Sequence, residues 1–356
     1  MSEIQIRSAI EKLPTYKAGA VAPDVAGLIP YKLSSNENPF NPLPSVVEAM
    51  MQAAKTVNRY PDPFVSELTS RIAQMCEVPP AMVATGTGSV GVCQQIVQAL
   101  CDAQDEVIFA WRSFEAYPII VSIAGAQGVQ IALNEQGEHD LGAMLAAVSD
   151  VTKVIFICTP NNPTGRIVRH RDLLEFLNQL PKHILVVVDE AYIEFNRDAE
   201  AVDGLALVKQ FSNVGLLRTF SKAYGLAGLR VGYFVGPENV AEAVRKTAVP
   251  FGVSQIAQVA AVASLDHQNE LFTRVQELVE LREWFEAELN SIGFVLPKSQ
   301  ANFVWIPLGA RTLEFSQACN AKALAVRAFP NEGVRISIGE KDALERTLEV
   351  LKDFVA

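Results

Sequence analysis

The chain has 356 residues, of which 49% are hydrophobic, and its formal net charge at pH 7 is −10. This length supports a large core and two domains. The acidic balance argues against nucleic-acid or membrane surfaces, because both partners are polyanionic and require clustered lysine and arginine. Five cysteines without a C-x-x-C pair, and no signal peptide or membrane-spanning run, predict a cytoplasmic protein. The four histidines lack metal-ligand spacing, so we expect no metal site.

The first forty residues predict an extended arm, because they are rich in proline and glycine and lack periodic apolar spacing. A helix is predicted from Ser45, with that serine as its N-cap and Glu48 three residues later. Residues 58–63 then form a proline-containing turn that displays Tyr60. On sequence alone, such a tyrosine is more often a packed loop aromatic than a functional residue.

A glycine-rich turn connects the next apolar strand to a helix. Gly86, Gly88 and Gly91 match the G-x-G-x-x-G fingerprint of dinucleotide-binding folds in the required strand-turn-helix context. That fingerprint also expects an acidic residue after the following strand, whereas residues 111–114 are Trp-Arg-Ser-Phe. The missing acidic residue weakens the prediction of a dinucleotide site, which stays open as an alternative. Under either alternative, the glycines and the helix N-terminus predict an anion site around Gly88 and Ser89.

Chemically competent side chains follow four further predicted strands at the point where each strand ends. In an open α/β sheet, ligands bind beyond the carboxyl ends of the strands, so these side chains are expected to face one crevice. Each also has an ordinary structural explanation, as a core aromatic, a turn residue, a helix cap or a surface lysine. The four residues are Phe114, Asn162, Asp189 and Lys222.

Lys222 lies in a tight connection between two short apolar strands. Its neighbours Thr219 and Ser221 provide hydroxyl groups, and Arg230 provides a guanidinium that can bind an anion through two parallel hydrogen bonds. Hydroxyls, an arginine and a lysine together suit a ligand that carries a phosphate and an aldehyde. The residues therefore predict pyridoxal 5'-phosphate, held by Lys222 as a Schiff base.

Several segments resemble the ordered motif set of the fold type I pyridoxal-phosphate aminotransferases. They are Thr-Pro-Asn-Asn-Pro-Thr-Gly at 159–165, Asp-Glu-Ala-Tyr at 189–192, Thr-Phe-Ser-Lys at 219–222 and Gly-Leu-Arg at 228–230. Over nearly its whole length the chain is similar to the histidinol-phosphate aminotransferase family. Segments 89–95, 111–118 and 299–305 resemble the aromatic amino acid (phenylalanine) aminotransferase branch of that family.

The resemblance implies an α/β fold in which a large domain has a mainly parallel mixed sheet between helices and a second, small domain is α+β. We expect an N-terminal arm at 1–40 that joins the small domain. The large domain, which binds pyridoxal phosphate, is expected at 41–255, and the small C-terminal domain at 256–356.

The resemblance also implies catalytic and ring-binding roles. Lys222 would hold the cofactor and then move a proton between substrate and cofactor carbons. Asp189 would keep the pyridine nitrogen protonated, so that the ring can accept negative charge. Asn162 and Tyr192 would donate hydrogen bonds to the phenolic oxygen of the cofactor, and Phe114 would stack on its ring. The predicted catalytic residues are Lys222, Asp189 and Tyr192.

For the cofactor phosphate, the resemblance implies binding by two backbone amides and three side chains. The amides belong to Gly88 and Ser89, at the N-terminus of a predicted helix. The side chains are those of Thr219, Ser221 and Arg230.

On the substrate side, the resemblance implies contacts from Tyr16, Tyr60, Asn162, Arg327 and Arg335. Arg335 would clamp a substrate carboxylate or phosphate through two hydrogen bonds. Tyr60 would reach into the site of a neighbouring subunit, which implies a homodimer. Contact of Arg327 with the substrate, and assembly beyond a dimer, stay open.

The function implied by the resemblance is exchange of an amino group between an aromatic amino acid and 2-oxoglutarate. The alternative is the histidinol-phosphate aminotransferase of histidine biosynthesis, because a guanidinium fits a carboxylate and a phosphate equally well. A pyridoxal-phosphate decarboxylase, a nicotinamide-dependent oxidoreductase and a regulator without catalytic activity are further alternatives. The physiological direction of the reaction stays open.

Overall fold

The computed structural model describes residues 4–16 and 18–355. Residues 1–3 and 17, which belong to the predicted arm, and residue 356 of the predicted C-terminal domain lie outside the described residues. No helix in the described part of the chain combines the length and apolar character that a membrane span requires.

The described residues form eleven strands in two sheets, a large sheet and a small sheet. The strands are β1 (Tyr31–Leu33), β2 (Val83–Gly86), β3 (Glu106–Trp111), β4 (Gln127–Ala132), β5 (Thr152–Cys158), β6 (Leu185–Asp189), β7 (Val214–Thr219), β8 (Gly232–Val235), β9 (Phe303–Ile306), β10 (Leu324–Phe329) and β11 (Gly333–Ser337). The strand order is β2-β8-β7-β6-β5-β3-β4 in the large sheet and β1-β10-β11-β9 in the small sheet.

The large sheet is mixed and mainly parallel, as predicted. Strand β8 runs antiparallel to both of its neighbours, β2 and β7, whereas the other adjacent pairs are parallel. In the small sheet, β1 pairs in parallel with β10, and the other pairs are antiparallel. The N-terminal segment therefore supplies an edge strand to a sheet whose other strands lie near the C-terminus.

Helices cover both faces of the large sheet and pack against the small sheet. In the described residues they are α1 (Ser8–Glu11), α2 (Pro44–Ala53), α3 (Ser66–Cys76), α4 (Gly88–Leu100), α5 (Ala116–Ala124), α6 (Leu141–Ala146), α7 (His170–Gln179), α8 (Gly204–Gln210), α9 (Glu238–Lys246), α10 (Gln255–Asp266), α11 (Gln268–Ser291), α12 (Thr312–Ala321) and α13 (Lys341–Val355).

Strand β6 shows why the large sheet is buried on both faces. All five of its residues are buried, as is typical of a central parallel strand. Successive side chains point to opposite faces, so Leu185 and Val187 join one hydrophobic cluster whereas Val186 and Val188 join the other. The strand then ends at Asp189, the first polar side chain at the carboxyl edge of the sheet.

The predicted N-cap of α2 is wrong. The helix begins at Pro44 with Leu43 as its N-cap residue, and no side chain caps it. Proline is favoured in the first helical turn because its missing N–H has no helical partner to lose. Ser45 therefore lies inside the first turn, where its buried hydroxyl finds no hydrogen-bond partner among the described residues.

The segment after β1 connects the two sheets. Residues 34–38 leave the small sheet and pass over the carboxyl edge of the large sheet, where the backbone oxygen of Ser35 accepts a hydrogen bond from Nζ of Lys222. Strand pairing and this contact place the segment between the sheets. The domain boundaries near residues 40 and 255 stay a prediction.

Candidate active site

A cavity of about 290 Å³ opens where the carboxyl edge of the large sheet faces the small sheet. Strand ends of the large sheet, residues 34–37 and two strands of the small sheet contribute to its wall. The predicted site residues that line it are Tyr16, Ser89, Phe114, Asn162, Asp189, Tyr192, Thr219, Ser221, Lys222, Arg230, Arg327 and Arg335. Residues as distant in the sequence as Tyr16 and Arg335, which are 319 positions apart, are therefore brought to one site.

Lys222 presents its amine to this cavity. Nζ donates to the backbone oxygens of Ser35, at 3.2 Å, and Asn36, at 3.3 Å. Burial is the main cause, and the positive charge of Arg335 the second, that together lower the pKa of Lys222 from 10.5 to about 7. A large share of this amine is thus neutral near pH 7, which is the form that can attack an aldehyde.

Asp189 is held at the floor of the cavity by two donors. Its Oδ2 accepts from the hydroxyl of Tyr117 at 2.6 Å, and its Oδ1 accepts from the backbone N–H of Ala191 at 3.2 Å. Burial raises the pKa of Asp189 to about 6, against the effect of these hydrogen bonds. Sequence reasoning missed Tyr117, although it lies within the segment 111–118 that was singled out.

Tyr192 is oriented by a residue of the N-terminal segment. Nδ2 of Asn36 donates to the Tyr192 hydroxyl at 3.0 Å, so the hydroxyl oxygen acts as an acceptor and its proton is available to a ligand. Asn36 is buried with φ 53°, a left-handed conformation that asparagine tolerates better than most residues. Its backbone N–H donates to Oγ of Ser337 in β11 at 2.8 Å. Sequence reasoning did not identify Asn36.

The opposite end of the cavity is built for an anion. Helix α4 begins at Gly88, so the first N–H groups of the helix have no helical partner. Nη1 of Arg230 donates to Oγ of Ser221 at 3.2 Å, and Oγ1 of Thr219 accepts from the Ser221 backbone N–H at 3.1 Å. Gly88 has φ +76°, and a Cβ there would lie 2.3 Å from Nη2 of Arg230. Only glycine lets the guanidinium lie against this turn.

Arg335 brings a buried positive charge to the substrate side. Its Nη1 donates to Oδ1 of Asn162 at 2.6 Å, and its Nη2 donates to the backbone oxygen of Ser34 at 2.7 Å. Both acceptors are neutral, and no carboxylate in the described part of the chain forms an ion pair with it. The side-chain N–H groups of Asn162 remain free to donate. A buried guanidinium without a counter-ion is suited to receive an anionic ligand.

Arg327, by contrast, already has a counter-ion. Its Nη2 lies 2.6 Å from Oε2 of Glu115, and its Nη1 donates to the backbone oxygen of Ala18 at 3.0 Å. Sequence reasoning did not identify Glu115. Both arginines therefore line the cavity, but Arg327 is paired with a carboxylate whereas Arg335 bonds only neutral acceptors.

Of the predicted aromatic residues Phe114, Tyr16 and Tyr60, the first two line the cavity and the third does not. Phe114 lines the cavity and packs edge-on against Tyr117, with ring centroids 5.5 Å apart. Tyr16 lines the cavity with its side chain partly exposed. Tyr60 does not line it: this side chain is 82% exposed and stacks on Phe251, with ring centroids 4.5 Å apart.

Comparison with known proteins agrees with this geometry. Residues 29–351 match the family model described as Aminotransferase class I and II. The chain belongs to this family. An aromatic amino acid aminotransferase of Streptomyces avermitilis is 53% identical over 350 residues, covering 98% of this chain and 97% of that protein. A protein of the same name from Thermobifida fusca is 49% identical over 351 residues, with coverages of 98% and 97%.

Solved aminotransferase structures share the fold. Histidinol-phosphate aminotransferase from Sinorhizobium meliloti, in complex with pyridoxal-5'-phosphate, has a TM-score of 0.86 at 26% identity, covering 99% of this chain and 98% of that chain. Aspartate aminotransferase from Thermus thermophilus with maleate has a TM-score of 0.79 at 22% identity, with coverages of 92% and 92%. The predicted fold type I architecture is confirmed.

This aminotransferase therefore acts on amino acids and oxo acids, and members of its family are typically dimeric. The oxidoreductase, decarboxylase and regulator alternatives are set aside. Class I and II aminotransferases use pyridoxal phosphate, and the residues of the cavity fit that cofactor. Lys222 offers an amine for the aldehyde, Asp189 a carboxyl group for the ring nitrogen, and the cradle of Gly88 and Arg230 a site for the phosphate.

Proposed function

We propose that this aminotransferase exchanges an amino group between an aromatic amino acid (phenylalanine, tyrosine or tryptophan) and 2-oxoglutarate. The observation that carries the proposal is similarity over nearly the full length, at 53% identity, to proteins named aromatic amino acid aminotransferase. The aromatic walls of the cavity, Phe114 and Tyr16, and the small-sheet arginine that has no counter-ion among the described residues, Arg335, support it.

Proton transfer at the substrate α-carbon is the role proposed for Lys222. Bound pyridoxal phosphate supplies a protonated ring that stabilises negative charge developing at this carbon. The Nζ of Lys222, with its pKa near 7, is suited both to accept this proton and to return it. Asp189 is proposed to hold the proton at the ring nitrogen, with its carboxylate fixed by the Tyr117 hydroxyl.

Orientation of the substrate and the ring is the role proposed for Arg335, Asn162 and Tyr192. Arg335 would bind the α-carboxylate, because, of the two arginines of the small sheet that line the cavity, Arg327 is already paired with Glu115. Asn162 and Tyr192 would donate to the phenolic oxygen of the ring, since their acceptor atoms are already occupied by Arg335 and Asn36. Phe114, which lines the cavity, would cover one face of the ring and exclude water.

The phosphate is proposed to bind at the N-terminus of α4. Helix α4 begins at Gly88, so the backbone N–H groups of Gly88 and Ser89 have no helical partners, and Ser89 lines this end of the cavity whereas Gly88 lies directly behind it in the chain. The side chains of Thr219, Ser221 and Arg230 supply two hydroxyls and a guanidinium.

We propose a cytoplasmic homodimer in which Tyr60 enters the cavity of the partner subunit. Tyr60 lies on an exposed apolar surface with Phe64, Val249 and Phe251, which line a second depression. Exposed apolar patches of this kind mark interaction sites. All five cysteines are buried and free, as expected for a reducing compartment.

The substrate proposal is tested by a panel of half-reactions with the purified holoenzyme. Loss of the cofactor absorbance is followed after addition of phenylalanine, tyrosine, tryptophan, glutamate or histidinol phosphate. We expect reaction with the aromatic amino acids and with glutamate. Reaction with histidinol phosphate and glutamate alone would replace our proposal with the histidine-biosynthesis alternative.

A further inference from the structure

The two arginines of the small sheet lie side by side. In the antiparallel pair of β10 and β11, Arg327 is the direct register partner of Arg335. Side chains of opposed residues lie on the same face of a sheet, with Cβ atoms about 5 Å apart. Both guanidinium groups therefore line the same wall of the cavity. Alone, such a pair would present two positive charges, which suits a doubly charged phosphate.

Glu115 changes the charge of this wall. Its Oε2 lies 2.6 Å from Nη2 of Arg327, and both side chains are largely withdrawn from solvent, with 30% and 9% of their surfaces exposed. Glu115 makes no capping hydrogen bond to α5, whose N-terminus it precedes. Among the described residues, the carboxylate of Glu115 therefore forms its ion pair with Arg327.

The net charge that Arg327, Arg335 and Glu115 leave on this wall suits a carboxylate. Arg335 keeps its full positive charge because both of its acceptors are neutral. Arg327 and Glu115 together contribute none. A monoanionic carboxylate balances the wall, whereas a phosphate dianion leaves one negative charge uncompensated close to Glu115. In a partly buried site, such an imbalance is much less screened than at the surface.

We propose that Glu115 is a specificity-determining residue that reserves the anion subsite for a carboxylate and disfavours a phosphate in the same position. The inference rests on the proposed function, because it concerns the group that distinguishes an aromatic amino acid from an amino-alcohol phosphate. Glu115 acts through Arg327, by cancelling the second positive charge that a phosphate would use.

The test is a set of four substrates that separates the side chain from the anion. Phenylalanine and phenylalaninol phosphate share a phenyl group, and histidine and histidinol phosphate share an imidazole. The second-order rate constant of the half-reaction is measured with each substrate for the holoenzyme and for Glu115→Gln. This variant keeps the shape of the side chain and its hydrogen bond to Arg327. We expect the variant to shift the carboxylate-to-phosphate preference toward phosphate on the order of ten-fold, for both side chains.

A matched control is Glu37→Gln. Glu37 also lines the cavity but forms its ion pair with Lys32, at 2.9 Å. This variant removes the same charge without touching Arg327, so its preference should equal that of the unmodified protein. An unchanged preference in Glu115→Gln, or equal shifts in both variants, would overturn the inference.

A second variant covers the case in which Glu115→Gln does not fold. Arg327→Gln leaves the carboxylate of Glu115 without a counter-ion, so discrimination against phosphate should increase. A decrease or no change would overturn the inference. Its failure is distinguishable from that of the proposed function, which fails if phenylalanine does not react with the unmodified holoenzyme.

Discussion

At the scale of single residues, burial brings the pKa values of the two central ionisable groups, Lys222 and Asp189, closer together. The pKa of Lys222 is lowered to about 7, and the pKa of Asp189 is raised to about 6. In both cases desolvation disfavours the charged form. Near neutral pH, the amine is therefore available as a base while the carboxyl group is still largely ionised, which is the combination that the proposed roles require.

The displaced pKa of Lys222 gives a prediction for the cofactor-free protein. Covalent capture of pyridoxal phosphate should accelerate as pH rises through about 7, because only the neutral amine attacks the aldehyde, and should level off above it. Stopped-flow absorbance between acidic and alkaline pH measures this midpoint.

Arg335→Gln provides the control for this titration. Removing the positive charge of Arg335 should move the midpoint to higher pH, because that charge is the second cause of the lowered pKa. A midpoint close to 10.5, the ordinary value for lysine, would contradict the structural account.

Residues that belong to a local pattern could be predicted from the sequence, whereas their distant partners could not. Lys222 and Asp189 stand at the ends of apolar strands, and their surroundings carry the motif. Asn36 was missed because it meets Tyr192 across 156 positions of the chain. Glu115 was missed because its partner Arg327 is 212 positions away. Such pairings depend on how the two sheets meet, which no local spacing reveals.

At the scale of elements, the turn between β2 and α4 explains why a dinucleotide fingerprint occurs here. A strand, a glycine turn and a helix N-terminus create an anion site for any phosphate. Gly88 allows the approach of Arg230, and a Cβ at Gly91 would lie 2.4 Å from Oγ1 of Thr87. The glycines therefore meet local packing needs that a dinucleotide site shares, and the missing acidic residue was the distinguishing sign.

This turn gives a prediction about cofactor affinity. Gly88→Ala places a Cβ against Nη2 of Arg230 and at φ +76°, so pyridoxal phosphate should bind at least about ten-fold more weakly. Equilibrium dialysis of the cofactor measures the change.

The matched control is Gly228→Ala, in the same loop region as Arg230. A Cβ there meets nothing within 4 Å, so cofactor affinity should be unchanged. Equal losses in the two variants would show that the cradle is not specific to Gly88.

Most strands that are buried on both faces were predicted from the sequence, whereas two of the edge strands, β1 and β4, were not. The strand that was predicted to end at Asp189 is β6 (Leu185–Asp189), which ends at that residue. Strand β4 (Gln127–Ala132) was missed because it lies at the edge of the large sheet and is mostly exposed or half-buried. Strand β1 (Tyr31–Leu33) has three residues and depends on its pairing with β10. The existence of an edge strand is decided by tertiary pairing more than by its own residues.

At the scale of the whole molecule, the site exists only where the two sheets meet. The large sheet contributes Asp189 and Lys222, the small sheet contributes Arg327 and Arg335, and the segment 34–38 joins them. The predicted dimer would add Tyr60 from outside the chain, since this side chain does not line the cavity of its own subunit.

Subunit complementation tests the role of Tyr60. Tyr60→Ala and Lys222→Ala proteins should each be weakly active or inactive alone. After unfolding and refolding together, hybrid dimers contain one intact site, so about one quarter of the unmodified activity should return. Assays of the mixture against each parent measure this recovery. No recovery would show that Tyr60 does not act across the interface.

Transfer of a heavy-isotope-labelled amino nitrogen from glutamate to phenylpyruvate tests the central claim most directly. The purified protein with pyridoxal phosphate is incubated with both compounds, and the phenylalanine formed is analysed by mass spectrometry. The account predicts labelled phenylalanine in multiple turnovers with the unmodified protein and none with Lys222→Ala. Absence of label in phenylalanine, or equal labelling by the Lys222→Ala protein, would contradict it.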